Sequence, residues 1–261
     1  MTSESVLLRE RRGAVICITL NRPHAMNSLN SELRAALTAF WKEFRDDNEL
    51  RVAIVTGAGG RAFSSGRDFK ETATVDDEGG KLEYEISGEY GYPNSLALGK
   101  PVIAAIDGYC LASGLRIAIG CDIRIATENA KFGNPQVTRG RGTRMPLDLV
   151  RAGLPRAVVM DMVYTGESIT GQQALEWGMV SRVVPVNQLL PTAWALAEKI
   201  ASNSPTVVSG IKRAVEAGLL DLSLNEAQRL WDPVTGGMMG NTQDAIEGAR
   251  SFASKRKAAF N

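Results

Sequence analysis

The sequence predicts an α/β fold in which strand-like and helix-like segments alternate and the last third is helical by pattern. Two observations predict it. Residues 51–56 (RVAIVT) and 101–106 (PVIAAI) are apolar almost throughout, as strands are when helices cover both faces of a parallel sheet. From Arg156 onward, apolar residues recur at helical spacing through several successive segments. At 261 residues the chain is long enough for one or two domains with a sizeable core.

The elements follow in order. Residues 14–20 (AVICITL) read as a strand by their β-branched content, and Asn21-Arg22-Pro23 ends it. Residues 28–44 carry Leu29, Leu33, Ala36, Leu37, Phe40, Trp41 and Phe44 on one helical face, with Asn30 or Ser31 as the N-cap. Strands follow at 51–56, 101–106 and around 122–126. Helices are expected at 157–165, 170–177, 189–201, 206–219, 224–231 and 244–257, and a loop at 76–80 (DDEGG).

Composition excludes several functions. Thirty Lys and Arg stand against 29 Asp and Glu, a formal net charge of +1, so nothing draws the whole chain to nucleic acid or to an anionic membrane. Cys17, Cys110 and Cys121 are too widely spaced for a disulfide framework or a zinc site and fit a reducing compartment. The single histidine, His24, lies in a turn-like stretch and supplies no cluster of ligands, so no metal is expected. The first ten residues lack the apolar core of a signal peptide. No apolar run approaches the ~20 residues that span a bilayer. The expectation is a cytoplasmic protein.

Three glycine-rich loops invite functional readings. Residues 57–62 (GAGGRA) follow a strand and match a dinucleotide-binding fingerprint. The stretch after them, 63–69 (FSSGRDF), lacks helical periodicity and holds another glycine, so a plain tight turn is the favoured reading. Residues 63–69 and 107–116 (DGYCLASGLR) each end a strand in small residues just before a helix can begin. Each can leave a backbone N–H aimed outward, and two such groups make an oxyanion hole.

Taken together, these loops resemble the crotonase superfamily, the enoyl-CoA hydratase/isomerase family. The likeness runs through residues 21–30 (NRPHAMNSLN), 62–68 (AFSSGRD), 100–108 (KPVIAAIDG), 121–133 (CDIRIATENAKFG), 164–167 (YTGE), 174–184 (ALEWGMVSRVV) and 255–257 (KRK). The resemblance implies a spiral of β-β-α units over residues 1–195, and a helical C-terminal trimerisation region over 196–261. It implies a homotrimer or a dimer of trimers. It implies no permanently bound cofactor, with coenzyme A entering as part of an acyl-CoA substrate.

The resemblance also implies a site. The thioester carbonyl would sit between the backbone N–H groups of Arg67 and Ser113. Losing one donor of such a pair costs about 3–4 kcal/mol. Ala25, Met26 and Asn27, with Ser65, Gly66, Asp68 and Phe69, match segments that cradle adenine and pantetheine. Asp68 also reads as the cap of the helix after the first loop. Phe252 and Lys255 match C-terminal positions that reach the nucleotide, in some members from a neighbouring subunit, although Lys255-Arg256-Lys257 also reads as a solvated helix end. Asp122 matches a structural position.

The chain departs from the family where hydratases carry two glutamates, one a base and one an acid. Those positions read Arg116 and Gln136. Arginine stays charged at neutral pH and glutamine does not titrate. Arg144 stands where a dehalogenase branch has its nucleophilic carboxylate. Arg67, Arg116, Arg139, Arg141 and Arg144 fall on segments around the acyl pocket. They either pair with acids such as Asp148, Asp161 or Glu128, or hold a second negative group on the substrate through a guanidinium fork. Asp161 is a candidate base, although its apolar neighbours Val158, Val159, Met162 and Val163 suggest a buried carboxylate paired with an arginine.

The expected function is action on an acyl-CoA thioester through the oxyanion hole, without the two-glutamate hydratase mechanism. An anionic acyl group and its decarboxylation, or cleavage of a C–C or thioester bond, fit best. An enoyl-CoA hydratase or isomerase, a non-catalytic acyl-CoA-binding protein, and an NAD-dependent oxidoreductase are the alternatives.

Overall fold

The computed structural model describes residues 5–71, 91–93, 98–139, 145–218 and 243–260. The expected loop at 76–80 and helix at 224–231 lie outside them.

Strands β1 (Leu7–Arg12), β2 (Val15–Leu20), β3 (Val52–Gly57), β5 (Val102–Ile106), β7 (Ile123–Thr127) and β10 (Arg182–Val184) form a six-stranded sheet in that spatial order. The β1–β2 pair is antiparallel and the other pairs are parallel, with Ile54 level with Cys17 on one side and Ile103 on the other. A second sheet holds β4 (Ala62–Ser64), β6 (Tyr109–Leu111), β8 (Lys131–Gly133) and β9 (Ser168–Thr170). Its first three strands are parallel and the last is antiparallel. The chain visits the large sheet and then the small one three times, in β3–β4, β5–β6 and β7–β8, before each return. That repeated step is the spiral of β-β-α units that the family resemblance implies.

Helix α1 (Ser31–Asp46) packs its apolar stripe on one face of the large sheet. Asn30 caps it, its side chain accepting from Leu33 N at 3.0 Å. Strand side chains alternate between faces. Ala53, Val55, Ala104 and Ile106 meet the α1 side, where Phe40, Trp41 and Phe44 form an aromatic cluster. Val52, Ile54, Ile103 and Ala105 face helix α6 (Leu189–Ala201), which contributes Leu189, Ala193, Trp194 and Ala197. Both faces are covered, so the strands are apolar throughout.

Around the second sheet lie α2 (Ser113–Ile119), α3 (Met145–Arg151), α4 (Arg156–Thr165) and α5 (Gly171–Glu176), with a 3-10 turn at Pro135–Arg139. Helices α7 (Pro205–Gly218) and α8 (Gln243–Ala253) follow α6. Asp122 is structural: its Oδ2 accepts from Val102 N at 2.7 Å and from Lys212 Nζ at 2.9 Å. Among the described residues no helix is long and apolar enough to cross a membrane.

Candidate active site

The first glycine loop is a tight turn. Gly59 and Gly60 adopt positive φ, and the chain then enters strand β4. A dinucleotide fingerprint needs a helix at that point to meet the pyrophosphate. The fingerprint reading is therefore excluded by the local structure.

Residues 25–29 and 64–68 are zipped together. Ser65 N donates to Met26 O at 3.0 Å, Leu29 N to Gly66 O at 2.7 Å and Asp68 N to Leu29 O at 3.2 Å. Met26 and Asn27 both have φ near +52°, which turns the chain sharply after a 3-10 turn at Pro23–Ala25 carrying exposed His24. Asn27 is fully buried and its side chain is committed. Its Nδ2 donates to Ala58 O and Ala62 O, and its Oδ1 accepts from Arg22 N. Any ligand contact from Asn27 is therefore through its main chain. Phe69 is exposed on the same rim.

Asp68 is buried and accepts from Arg22 Nη1 at 2.9 Å, Ser28 Oγ at 3.0 Å and Lys70 N at 3.1 Å, the last being its helix-capping contact. Burial opposes its ionisation, but the bonds from Arg22 and Ser28 outweigh that and hold the carboxyl below its ordinary range.

The second loop presses on the first. A Cβ on Gly66, whose φ is +94°, would lie 2.9 Å from Leu111 O and Ala112 Cβ and 3.1 Å from Ser113 N. Gly66 is thus required by close approach as well as by conformation. Ala112 has φ +46° and ψ −117°, a strained non-glycine geometry of the kind that clusters at functional sites. It is held by donation from Ala112 N to Gly133 O at 2.9 Å. Ser113 follows as the first residue of α2, so its N–H has no intrahelical acceptor. Arg67 and Ser113, far apart in sequence, therefore sit on two loops in contact at Gly66.

Arg116 lies one turn further along α2. Its Nε is 3.6 Å from Asp148 Oδ2, and its guanidinium stands 4.8 Å from the centre of the Tyr92 ring. Among the described residues it makes no hydrogen bond, and its Nε is buried without one. Pairing with Asp148, one of the acids expected, is therefore loose and monodentate. Gln136 lies in the 3-10 turn after β8, with its Oε1 buried and without a partner among the described residues. Arg141 and Arg144, and the side chain of Arg139, lie outside the described residues.

One expectation is revised. Asp161 was expected to be buried beside an arginine; it is exposed, with no ion pair among the described residues. The buried face of α4 is taken by Val159, Met162 and Val163, which leaves position 161 on the opposite side. Asp161 lines a separate cavity of about 440 Å³ with Glu167, Gln173 and Trp177. Phe252, 86% exposed, and exposed Lys255 make no hydrogen bond or ion pair with either glycine loop among the described residues.

Sequence reasoning missed Asn134. It is 1% exposed, between β8 and the 3-10 turn, and among the described residues neither its Nδ2 nor its Oδ1 has a partner. Its signal was an amide directly before Pro135-Gln136, at the end of a strand too short to show alternation.

Comparisons with known proteins agree with this architecture. Residues 10–261 match the family described as enoyl-CoA hydratase/isomerase. The chain is 41% identical over 248 residues to the (E)-benzylidenesuccinyl-CoA hydratase of Thauera aromatica, covering 94% of this chain and 95% of the relative. It is 36% identical over 264 residues to a carnitinyl-CoA dehydratase of Salmonella arizonae, covering 97% of each. The crystal structure of an enoyl-CoA hydratase from Mycobacterium tuberculosis H37Rv superposes with a TM-score of 0.89 at 31% identity, over 99% of both chains. The two-sheet spiral, the paired loops and these matches together place the chain in the enoyl-CoA hydratase/isomerase family, within the crotonase superfamily.

Proposed function

We propose that this protein acts on an acyl-CoA thioester whose acyl chain carries a second negative group. The thioester oxygen is held by the N–H groups of Arg67 and Ser113, and negative charge developing on it is stabilised by these fixed donors. The observation that carries the reading is the contact of the two loops at Gly66, which sets Ser113 N at the first loop. Coenzyme A lies along residues 25–27 and 65–69, and Phe252 and Lys255 complete the nucleotide end in a trimeric assembly.

Arg116 supports the anionic acyl group. It sits one helical turn from Ser113, makes no hydrogen bond among the described residues and is only loosely matched by Asp148. A carboxylate approaching it gains a charge-assisted fork. The name of the Thauera relative points the same way, because a succinyl group bound through one end as a thioester keeps a carboxylate at the other. Decarboxylation requires the second carboxylate on the carbon next to the thioester, as in a malonyl group; there the C–C bond to it breaks and its electron pair enters the enolate. CO₂ leaves, and the enolate then takes a proton from water.

Addition of water is the second reading, favoured by the hydratase and dehydratase names of the relatives. It requires a base other than positions 116 and 136. A panel separates the readings: malonyl-CoA with CO₂ detection, crotonyl-CoA hydration, and hydration of an enoyl thioester bearing a second carboxylate. CO₂ release, or turnover confined to the carboxylate-bearing enoyl substrate, supports an anionic acyl group. Robust hydration of crotonyl-CoA overturns it. Binding of every thioester without turnover would mark a carrier.

A further inference from the structure

The geometry points to Asn134 as a recognition residue for a hydrogen-bonding substituent on the acyl chain, a role that rests on the acyl-CoA reading above. A carboxamide offers two donors and an acceptor oxygen. Buried polar atoms in folded proteins are almost always paired with protein, water or ligand. Asn134 is 1% exposed, yet both of its side-chain polar atoms are buried and have no partner among the described residues. Asn27 makes the contrast: it is equally buried, and its amide is spent on three backbone groups.

The position of Asn134 says what it serves. The preceding residue, Gly133, accepts from Ala112 N and so fixes the strained residue that delivers Ser113. Two residues on, Gln136 leaves a second amide oxygen buried and unpartnered. An unpartnered amide and an unpartnered amide oxygen therefore flank Pro135 beside the loop assigned to the thioester. An apolar acyl chain would satisfy neither, whereas a hydroxyl or carboxylate supplies the missing partners directly or through one ordered water. Asn134 is thus a specificity-determining residue, selecting polar-substituted over unsubstituted acyl groups.

The test is N134L, close in shape and without the unmet hydrogen bonds, measured on the full-length protein beside N134D. Calorimetric titrations use succinyl-CoA, butyryl-CoA and free coenzyme A, with thermal melts in parallel. The expected result is a melting temperature equal to or above that of the wild type, because the unsatisfied amide is gone. Affinity for succinyl-CoA should fall about tenfold or more in N134L and further in N134D, where charges repel, with butyryl-CoA and coenzyme A unchanged. A purely structural amide predicts the reverse: lower stability and equal effects on all three ligands. Unaltered preference for succinyl-CoA in a folded N134L overturns the assignment while the acyl-CoA reading stands. A wild-type protein that binds no thioester overturns both. Should N134L fail to fold, N134D decides alone through its succinyl-to-butyryl affinity ratio.

Discussion

Arg22 Nη1 lies 2.9 Å from Asp68 Oδ2, an ion pair between two segments 46 residues apart that is largely shielded from water. Ser28 Oγ donates to the same oxygen, and Arg22 Nη1 also donates to Ser28 O at 2.6 Å. The pair latches the 25–29 turn to the loop carrying Arg67, so it bears on stability and, under the proposed coenzyme A placement, on ligand binding as well.

D68N should cost about 2 kcal/mol at neutral pH, the value of a charge-assisted hydrogen bond. The folded-state pKa of Asp68 is depressed, so the stabilisation is complete above the unfolded-state value of about 4. It is lost as pH falls through the lower folded-state value. Urea melts of wild type and D68N from pH 7 to pH 2 should therefore converge only in acid. A difference that is flat across this range would detach Asp68 charge from the latch.

Substitution at Gly66 should damage turnover more than stability. In G66A the methyl group collides with Leu111 O and Ala112 Cβ, and φ of +94° is unfavourable for alanine. About 1–2 kcal/mol of stability should be lost. Turnover should drop about 100-fold as the two donors are forced apart. S113A should stay within a few-fold of wild type, because only the main-chain N–H of that residue is used. Steady-state kinetics on the best thioester, with thermal melts, checks both.

Arg116 is the test of acyl charge. R116A should lower kcat/KM about 10- to 100-fold for a thioester bearing a second carboxylate, the loss expected for a charged hydrogen-bonding partner. It should leave an unsubstituted thioester nearly unchanged. Equal losses on both substrates would assign Arg116 to the Asp148 and Tyr92 packing alone.

The three thiols should be inert. Burial pushes Cys17 and Cys121 up to about 12 and Cys110 well above its ordinary value. Ellman's reagent at pH 8 should label none of them in the folded protein and all three in guanidinium. Rapid labelling before unfolding would contradict their burial.

How far the sequence could be read depended on element length. Helix α6 has the bounds its periodicity predicts, and β2, β3, β5 and β7 lie within one residue of prediction. These are the long, two-sided elements whose burial writes a pattern. Strand β1 went unread because only Leu7 of its six residues is buried, leaving a charged edge with no alternation. Strands β4, β6, β8 and β9 hold three residues each, too few to display a period of two. They position both loops, so the site was legible through family likeness, and its geometry was not. Asp161 failed because four apolar neighbours in sequence do not say which face of a helix is buried. Asn134 and its unmet hydrogen bonds could emerge only in three dimensions.

Ser113 and Arg116 share the seven-residue helix α2, and the proposed function uses the backbone of one and the side chain of the other. Under the proposed assignment, the electrophile-activating part of the site is insensitive to codon changes at its own residues. The reaction-specific part lies one turn away, where a single substitution alters charge without moving the loop. Such a division makes the protein easy to repurpose: selection can exchange position 116 or 136 and sample new reactions on an already activated thioester. It also means that overall identity to a relative is a poor guide to which reaction is catalysed.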